Sequence, residues 1–301
     1  MEKKELNKIF QEVFMSDNFA VIGGDLRNIE LVKLLAKDQR KIFTYGLEEN
    51  KELLDNLNNN IIICKDIEES CSNVDIIISS IPFSRDGETT YCEFSKNRIK
   101  IIDFFEKIKG KTLIVGSIKN NVINEALKRN IKIIDVMKNE ELAILNTIAT
   151  AEGTIQTMIS NTKNIIHESN ILILGFGRVA KTLAKKLQGL VKNVDCASNN
   201  KEELAWIEAF GYNVINLENL VENISKYDII INTIPAIILN YEDMKYIKKD
   251  TLLIDLASNP GGIDKNGAKD KGLKLIHALG LPGKIAPVSS AKFIKKIIYE
   301  I

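Results

Sequence analysis

The chain has 301 residues, 45% hydrophobic and 27% charged, enough for two domains with substantial cores at the usual length of about 100 to 200 residues each. Lysine and arginine total 41 against 40 acids, so no charge imbalance points to nucleic acid or to an anionic membrane surface. Apolar runs fall far short of the roughly 20 residues of a membrane span. Two histidines argue against a histidine-rich metal site, and four scattered cysteines with no CxxC pair fit reduced thiols in a cytoplasmic chain.

The opening stretch, Met1 to Phe14, is charged and helix-like and lacks the apolar core of a signal peptide. Short β-branched runs then alternate with helical patterns. Strands are expected at Phe19–Ile22, Lys41–Tyr45, Ile61–Cys64, Asp75–Ser79, Lys111–Val115 and Lys132–Asp135. A second series follows at Asn170–Leu174, Asn193–Ala197, Asn213–Ile215, Asp228–Asn232, Leu252–Asp255 and Lys274–His277. Alternation at this spacing builds βαβ units, hence an α/β protein of two doubly wound parallel-sheet domains. The expected division is 1–145 and 146–288, with a C-terminal helix over 289–301 packing back on the first domain. Glu140 to His167 has few strand signals and reads as a crossing helix, which Thr150–Thr154 starts or interrupts. Crossing helix and returning tail would form the hinge of a cleft. An internal echo supports two related halves: Val74-Asp-Ile-Ile-Ile-Ser-Ser-Ile-Pro82 matches Tyr227-Asp-Ile-Ile-Ile-Asn-Thr-Ile-Pro235.

Each half opens on a glycine turn after its first strand. In the first, Val21-Ile-Gly-Gly-Asp-Leu-Arg27 offers paired glycines with exposed backbone N–H groups. Asp25 would repel a pyrophosphate there, so a smaller ligand anion is expected in a substrate site of Gly24, Asp25 and Arg27, with Arg27 as its partner. Arg85, just past the strand end, is the second expected grip, since arginine meets a carboxylate bidentately, and Pro82 at that strand end is expected to line the same site.

In the second half, Ile171-Leu-Ile-Leu-Gly175-Phe-Gly177-Arg-Val-Ala180 and an amphipathic run to Leu187 make strand, tight turn and helix. This Rossmann pattern rests a dinucleotide pyrophosphate on a helix N-terminus. The expected cofactor residues are Gly175, Phe176, Gly177, Arg178 and Val179, with Thr233, Ile234, Pro235, Leu256 and Ala257 from later strand ends. Asp195 reads as inside the second strand, leaving its tip to Ser198, Asn199, Asn200 and Lys201. That polar, slightly basic tip suits a 2′-phosphate, favouring NADP over NAD. Thr150 and Gly153 of the TAEG segment, and Lys284 of a Gly/Pro-rich loop read as irregular (Gly280–Pro287), flank the expected substrate. No residues mark a metal.

In this order the GGDxR turn, TAEGTIQ, GFGRVA and GLPGKIAP resemble the A-subunit family of dipicolinate synthase over nearly the whole chain. The resemblance implies a substrate-side first domain and a nucleotide-binding second one. It implies an enzyme, an NAD(P)-dependent oxidoreductase that takes dihydrodipicolinate to dipicolinate in the mother-cell cytoplasm of a sporulating bacterium. It also implies a partner, the dipicolinate synthase B-subunit, and leaves a homo-oligomer open. The family carries an arginine near position 199, where this chain has Asn199. A base could assist aromatisation of the small dicarboxylate, with Glu152 and His277 the candidates. Two other readings stay open: another two-domain keto-, amino- or hydroxy-acid dehydrogenase, and a non-catalytic nucleotide-binding subunit.

Overall fold

The computed structural model describes residues 18–258 and 260–300. The helical segment expected over Met1–Phe14 lies outside these residues, as do Asn259 of the Leu256–Gly262 loop and Ile301. The chain forms two compact units, Asn146–Ile285 and the remainder on either side of it.

The first unit carries β1 (Asn18–Ile22), α1 (Leu26–Lys37), β2 (Lys41–Tyr45), α2 (Lys51–Asp55), β3 (Ile61–Ile63), α3 (Ile67–Cys71), β4 (Ile76–Ser79), α4 (Ile101–Lys107), β5 (Thr112–Val115), α5 (Asn120–Leu127) and β6 (Lys132–Asp135). Helix α6 (Glu140–Asn161) runs through the boundary. The second unit continues with β7 (Asn170–Leu174), α7 (Arg178–Leu187), β8 (Asn193–Ser198), α8 (Lys201–Ala209), β9 (Asn213–Asn216), α9 (Leu220–Asn223), β10 (Ile229–Asn232), β11 (Leu252–Asp255), α10 (Lys265–Asp270), β12 (Lys274–His277) and α11 (Leu281–Ile285). Helix α12 (Pro287–Glu300) belongs to the first unit.

Both sheets are six-stranded and parallel, ordered β3-β2-β1-β4-β5-β6 and β12-β11-β10-β7-β8-β9. Numbered within each half, both follow the 3-2-1-4-5-6 order of a dinucleotide fold. The α/β class with two parallel sheets is therefore as expected, and the strand runs fall within a residue or so of the pattern. The continuous isoleucine runs explain this: in Ile76–Ser79 and Ile229–Asn232 every residue is buried, as a strand covered on both faces requires. The echoed segments occupy one structural position. Ser79 pairs beside Ile22, and Asn232 beside Leu174.

Helices cover both faces of each sheet. In the first unit α12 contributes Ala291, Ile294, Ile297 and Ile298 to a core with Ile29, Val32 and Leu35 of α1. In the second, α7 turns Ala180, Leu183, Ala184 and Leu187 inward and leaves its lysines outward. Two local expectations need correction. Helix α6 passes through Thr150–Thr154 without interruption; the hydroxyls of Thr150, Thr154 and Thr157 bond carbonyls four residues back and so do not compete for the helix N–H groups. Gly280–Pro287 is not irregular. Pro282 sits in the first turn of α11 and Pro287 opens α12, positions where a missing N–H costs nothing.

Candidate functional site

The glycine turn after β7 is built to leave a helix end open. Gly175 has φ +91°, and a Cβ there would lie 2.6 Å from Thr233 Oγ1 and 2.8 Å from Ile234 Cγ1. Only glycine fits both the backbone and the neighbours. Gly177 is the N-cap of the ten-residue α7; no side chain caps this helix, and its first turn holds no acid. Above Gly177 nothing lies within 4 Å of a built Cβ. A phosphate is the natural occupant of an exposed, uncapped helix N-terminus, so the turn fits a dinucleotide.

Around it stand the ends of the neighbouring strands. Thr233 donates its hydroxyl to the Leu174 carbonyl at 2.8 Å, and with Ile234 it packs on Gly175. Pro235 follows, exposed. Leu256 donates its N–H to the Asn232 carbonyl at 2.9 Å, and the Ala257 N–H reaches Asp255 Oδ1 at 3.1 Å. The buried Asp255 carboxylate also receives Gly262 and Ile263 N–H groups, so one side chain ties Ala257 to Gly262 and Ile263. At the β8 tip, Asn200 caps α8 by accepting from Glu202 and Glu203 N–H groups, while Asn199 and Lys201 are exposed. Ser198 is buried and donates to Glu203 Oε2 at 2.6 Å, and Phe176 N–H reaches the same oxygen at 3.0 Å. Asp195 sits inside the strand, as expected, among Asn213, Tyr227 and Lys226.

The corresponding turn of the first unit is closed by the protein itself. Gly23 and Gly24 N–H groups bond the Tyr45 and Tyr91 carbonyls, each at 2.8 Å. Asp25 caps α1 in a reciprocal pair with Asn28. The Arg27 guanidinium spans that carboxylate, Nε to Oδ1 at 3.0 Å and Nη2 to Oδ2 at 2.7 Å, and also donates to the Ile81 carbonyl. Arg27 is 5% exposed. In place of the expected anion grip, the Gly24 N–H serves the Tyr91 carbonyl, and Arg27 Nε and Nη2 serve Asp25 and the Ile81 carbonyl. Arg85 differs. It is exposed, lies 3.9 Å over the Tyr91 ring, and has no ion-pair partner among the described residues. Burial and a hydrogen bond to Glu93 push the Tyr91 hydroxyl up to about 12, so a neutral ring backs the guanidinium.

Comparison with known proteins agrees with this division. Residues 18–137 match the N-terminal domain of the dipicolinate synthase A-subunit, and residues 157–278 match the shikimate/quinate 5-dehydrogenase domain. The chain is 31% identical over 284 residues to the dipicolinate synthase A-subunit of Bacillus subtilis (strain 168), covering 94% of each. It belongs to the A-subunit family of dipicolinate synthase. Among solved structures it resembles the A-subunit from Bacillus halodurans, with TM-score 0.83 and 28% identity, covering 95% of this chain and 98% of that one. An L-alanine dehydrogenase, at 11% identity and TM-score 0.62 over 93% and 88% of the chains, shares the fold alone.

The remaining expected residues divide unevenly. In TAEG, Thr150 bonds the Asn146 carbonyl. Gly153 is there for packing, since a Cβ would come within 2.9 Å of Ile285 Cγ1. Glu152 is 52% exposed in its side chain and ion-paired with Lys186 at 2.8 Å, a surface pair rather than a base held at a reacting centre. Lys284 is exposed on α11. His277 ends β12 with Nε2 at 2.8 Å from the Ala257 carbonyl; a carbonyl only accepts, so that nitrogen carries its proton. Pro82 lies just beyond the end of β4. Sequence reading missed Glu203 altogether. Asn200-Lys-Glu-Glu203 has the spacing of a helix-start signature, and that structural role hid the other one. No helix among the described residues is long and apolar enough to cross a membrane, and no cluster of metal-ligating residues occurs among them.

Proposed function

We propose that this chain is the dehydrogenase subunit that converts dihydrodipicolinate to dipicolinate, with NADP or NAD as acceptor, in the mother-cell cytoplasm during sporulation. The observation that carries the reading is the uncapped N-terminus of α7 at Gly177, in a chain 31% identical to a dipicolinate synthase A-subunit. Gly175, Gly177 and the first turn of α7 would hold the pyrophosphate, with Thr233 and Ile234 packed beneath. The bound nicotinamide supplies a hydride acceptor; the substrate also loses one proton, and aromatisation drives the step. The protein then has mainly to orient ring and acceptor. Arg85 is the grip on a substrate carboxylate that remains once Arg27 is assigned to Asp25. The dipicolinate synthase B-subunit is the proposed partner.

The test uses purified chain, alone and reconstituted with the B-subunit, supplied with dihydrodipicolinate and either nucleotide. Dipicolinate and reduced nicotinamide should appear in equal amounts, and Gly175→Val should abolish both. Product at the unmutated rate from Gly175→Val defeats the proposal. One observation favours a second reading, a nucleotide-binding subunit without chemistry of its own: Glu152, one of the two candidate bases, is ion-paired with Lys186 at the surface. Nucleotide binding without turnover, even with the partner present, would select it.

A further inference from the structure

We infer that Glu203 makes this chain prefer NAD over NADP; the inference rests on the dinucleotide reading of the Gly175 turn. Many dinucleotide folds place an acid at the tip of the second strand, where it accepts the hydroxyls of the adenosine ribose. Here the tip residue is Ser198, and the nearest acid in the strand, Asp195, is buried among its own partners. The carboxylate comes instead from the third residue of α8. Glu203 Oε2 sits 2.6 Å from Ser198 Oγ and 3.0 Å from the Phe176 N–H, at once on the strand tip and on the glycine turn. Those two donors fix its position. Oε1 has no hydrogen-bond partner among the described residues, and no lysine or arginine among them is paired with Glu203.

The consequence is electrostatic. A free carboxylate oxygen accepts a ribose 2′-hydroxyl, whereas a 2′-phosphate brought to the same place meets a fixed negative charge. Like charges forced together in a partly desolvated site cost heavily. The Ser198 hydroxyl, which would otherwise donate to a 2′-phosphate, already donates to Glu203. The Asn200 side-chain oxygen accepts the α8 cap bonds from Glu202 and Glu203 N–H groups. Of the polar tip, Asn199, Asn200 and Lys201 are exposed; the two amides are neutral, and one lysine offers a point charge against an acid bonded to the turn itself.

The experiment is calorimetric titration of the full-length protein with NAD+ and, separately, NADP+. Unmutated protein should bind NAD+ at least about tenfold more tightly. Glu203→Gln keeps an acceptor for Ser198 and Phe176 but removes the charge, and should tighten NADP+ while erasing most of the preference. Glu203→Ala, checked for folding by circular dichroism, should act in the same direction. Tighter binding of NADP+ by unmutated protein, or an unchanged ratio in both variants, overturns the inference and leaves the dinucleotide reading standing. If neither nucleotide binds the folded, unmutated protein, both fall together.

Discussion

The two halves of this chain share a strand order, an Ile-Pro strand end and a glycine turn, yet they treat one helix terminus in opposite ways. In the first unit Asp25 occupies the N-terminus of α1, and Arg27 neutralises that carboxylate. In the second, Gly177 caps α7 with no side chain at all. Helix N-termini carry unpaired N–H groups and a partial positive charge that some acceptor must meet. A carboxylate carried by the chain makes the turn a structural joint. Glycine leaves the same electrostatic demand to be met by a ligand. One fold thus yields a scaffold or a binding site according to who supplies the anion.

The contrast breaks most visibly in the first unit. Asp25→Ala removes the helix cap and strands a guanidinium that is 6% exposed in its side chain. Losing one partner of a buried pair costs about 3–5 kcal/mol, read as a lower denaturation midpoint of the full-length protein. Asp25→Ala with Arg27→Met should recover much of that loss, because no buried charge is then left over. Failure of the double variant to recover would mean that the cap, rather than the pair, dominates.

The reverse exchange is the second test. Gly177 has φ −75° and ψ −167°, open to an aspartate, with room for a Cβ. Gly177→Asp should therefore fold with stability changed by only a few tenths of a kcal/mol, while its carboxylate takes the phosphate's place. Nucleotide affinity should drop about 100-fold, equivalent to about 2.7 kcal/mol by titration. Retained affinity would show that the helix terminus is not where the anion binds.

Much of this was legible in the sequence, and the limits have physical causes. The isoleucine runs announced strands because burial on both faces tolerates little else, and the spacing of Gly175 and Gly177 announced the turn. Periodicity cannot say which donor an acid will satisfy. Asp25 and Arg27 read as a ligand grip because their mutual pairing is a matter of rotamers two residues apart. Glu203 went unread because its reach to Phe176, across 27 positions, is a tertiary fact. Gly280–Pro287 read as loop because composition does not reveal that both prolines fall where helices admit them.

Smaller effects come from the second strands. Phe43, the third residue of β2, is partly buried and packs against the core, whereas Asp195, the third residue of β8, is a buried acid. The Tyr227 hydroxyl donates to it at 2.7 Å, so Tyr227→Phe should cost about 1–2 kcal/mol by leaving the acid short of a donor. Urea titration of both proteins at neutral pH measures the difference, and equal midpoints would count against it.

The same acid should give the second unit an acid sensitivity that Phe43 cannot give the first. Burial alone would raise the Asp195 carboxyl, but hydrogen bonds from Asn213, Tyr227 and Lys226 together hold it below the ordinary carboxylate value of 3.8. A depressed folded-state value means that the folded chain binds the proton less readily than the unfolded one. Its stabilisation is present above the unfolded value and is lost as pH falls through the folded one. Tyr227 is displaced the other way: burial and the Asp195 charge raise its hydroxyl above 10. That contribution is complete below about 10 and fades as pH climbs toward the raised value. Stability of the second unit should therefore decline at both extremes, and Asp195→Asn should flatten both limbs while lowering the plateau between them. Denaturation midpoints measured across pH, with a probe in each unit, decide the matter: an Asp195→Asn profile parallel to the unmutated one would remove this network from the pH response.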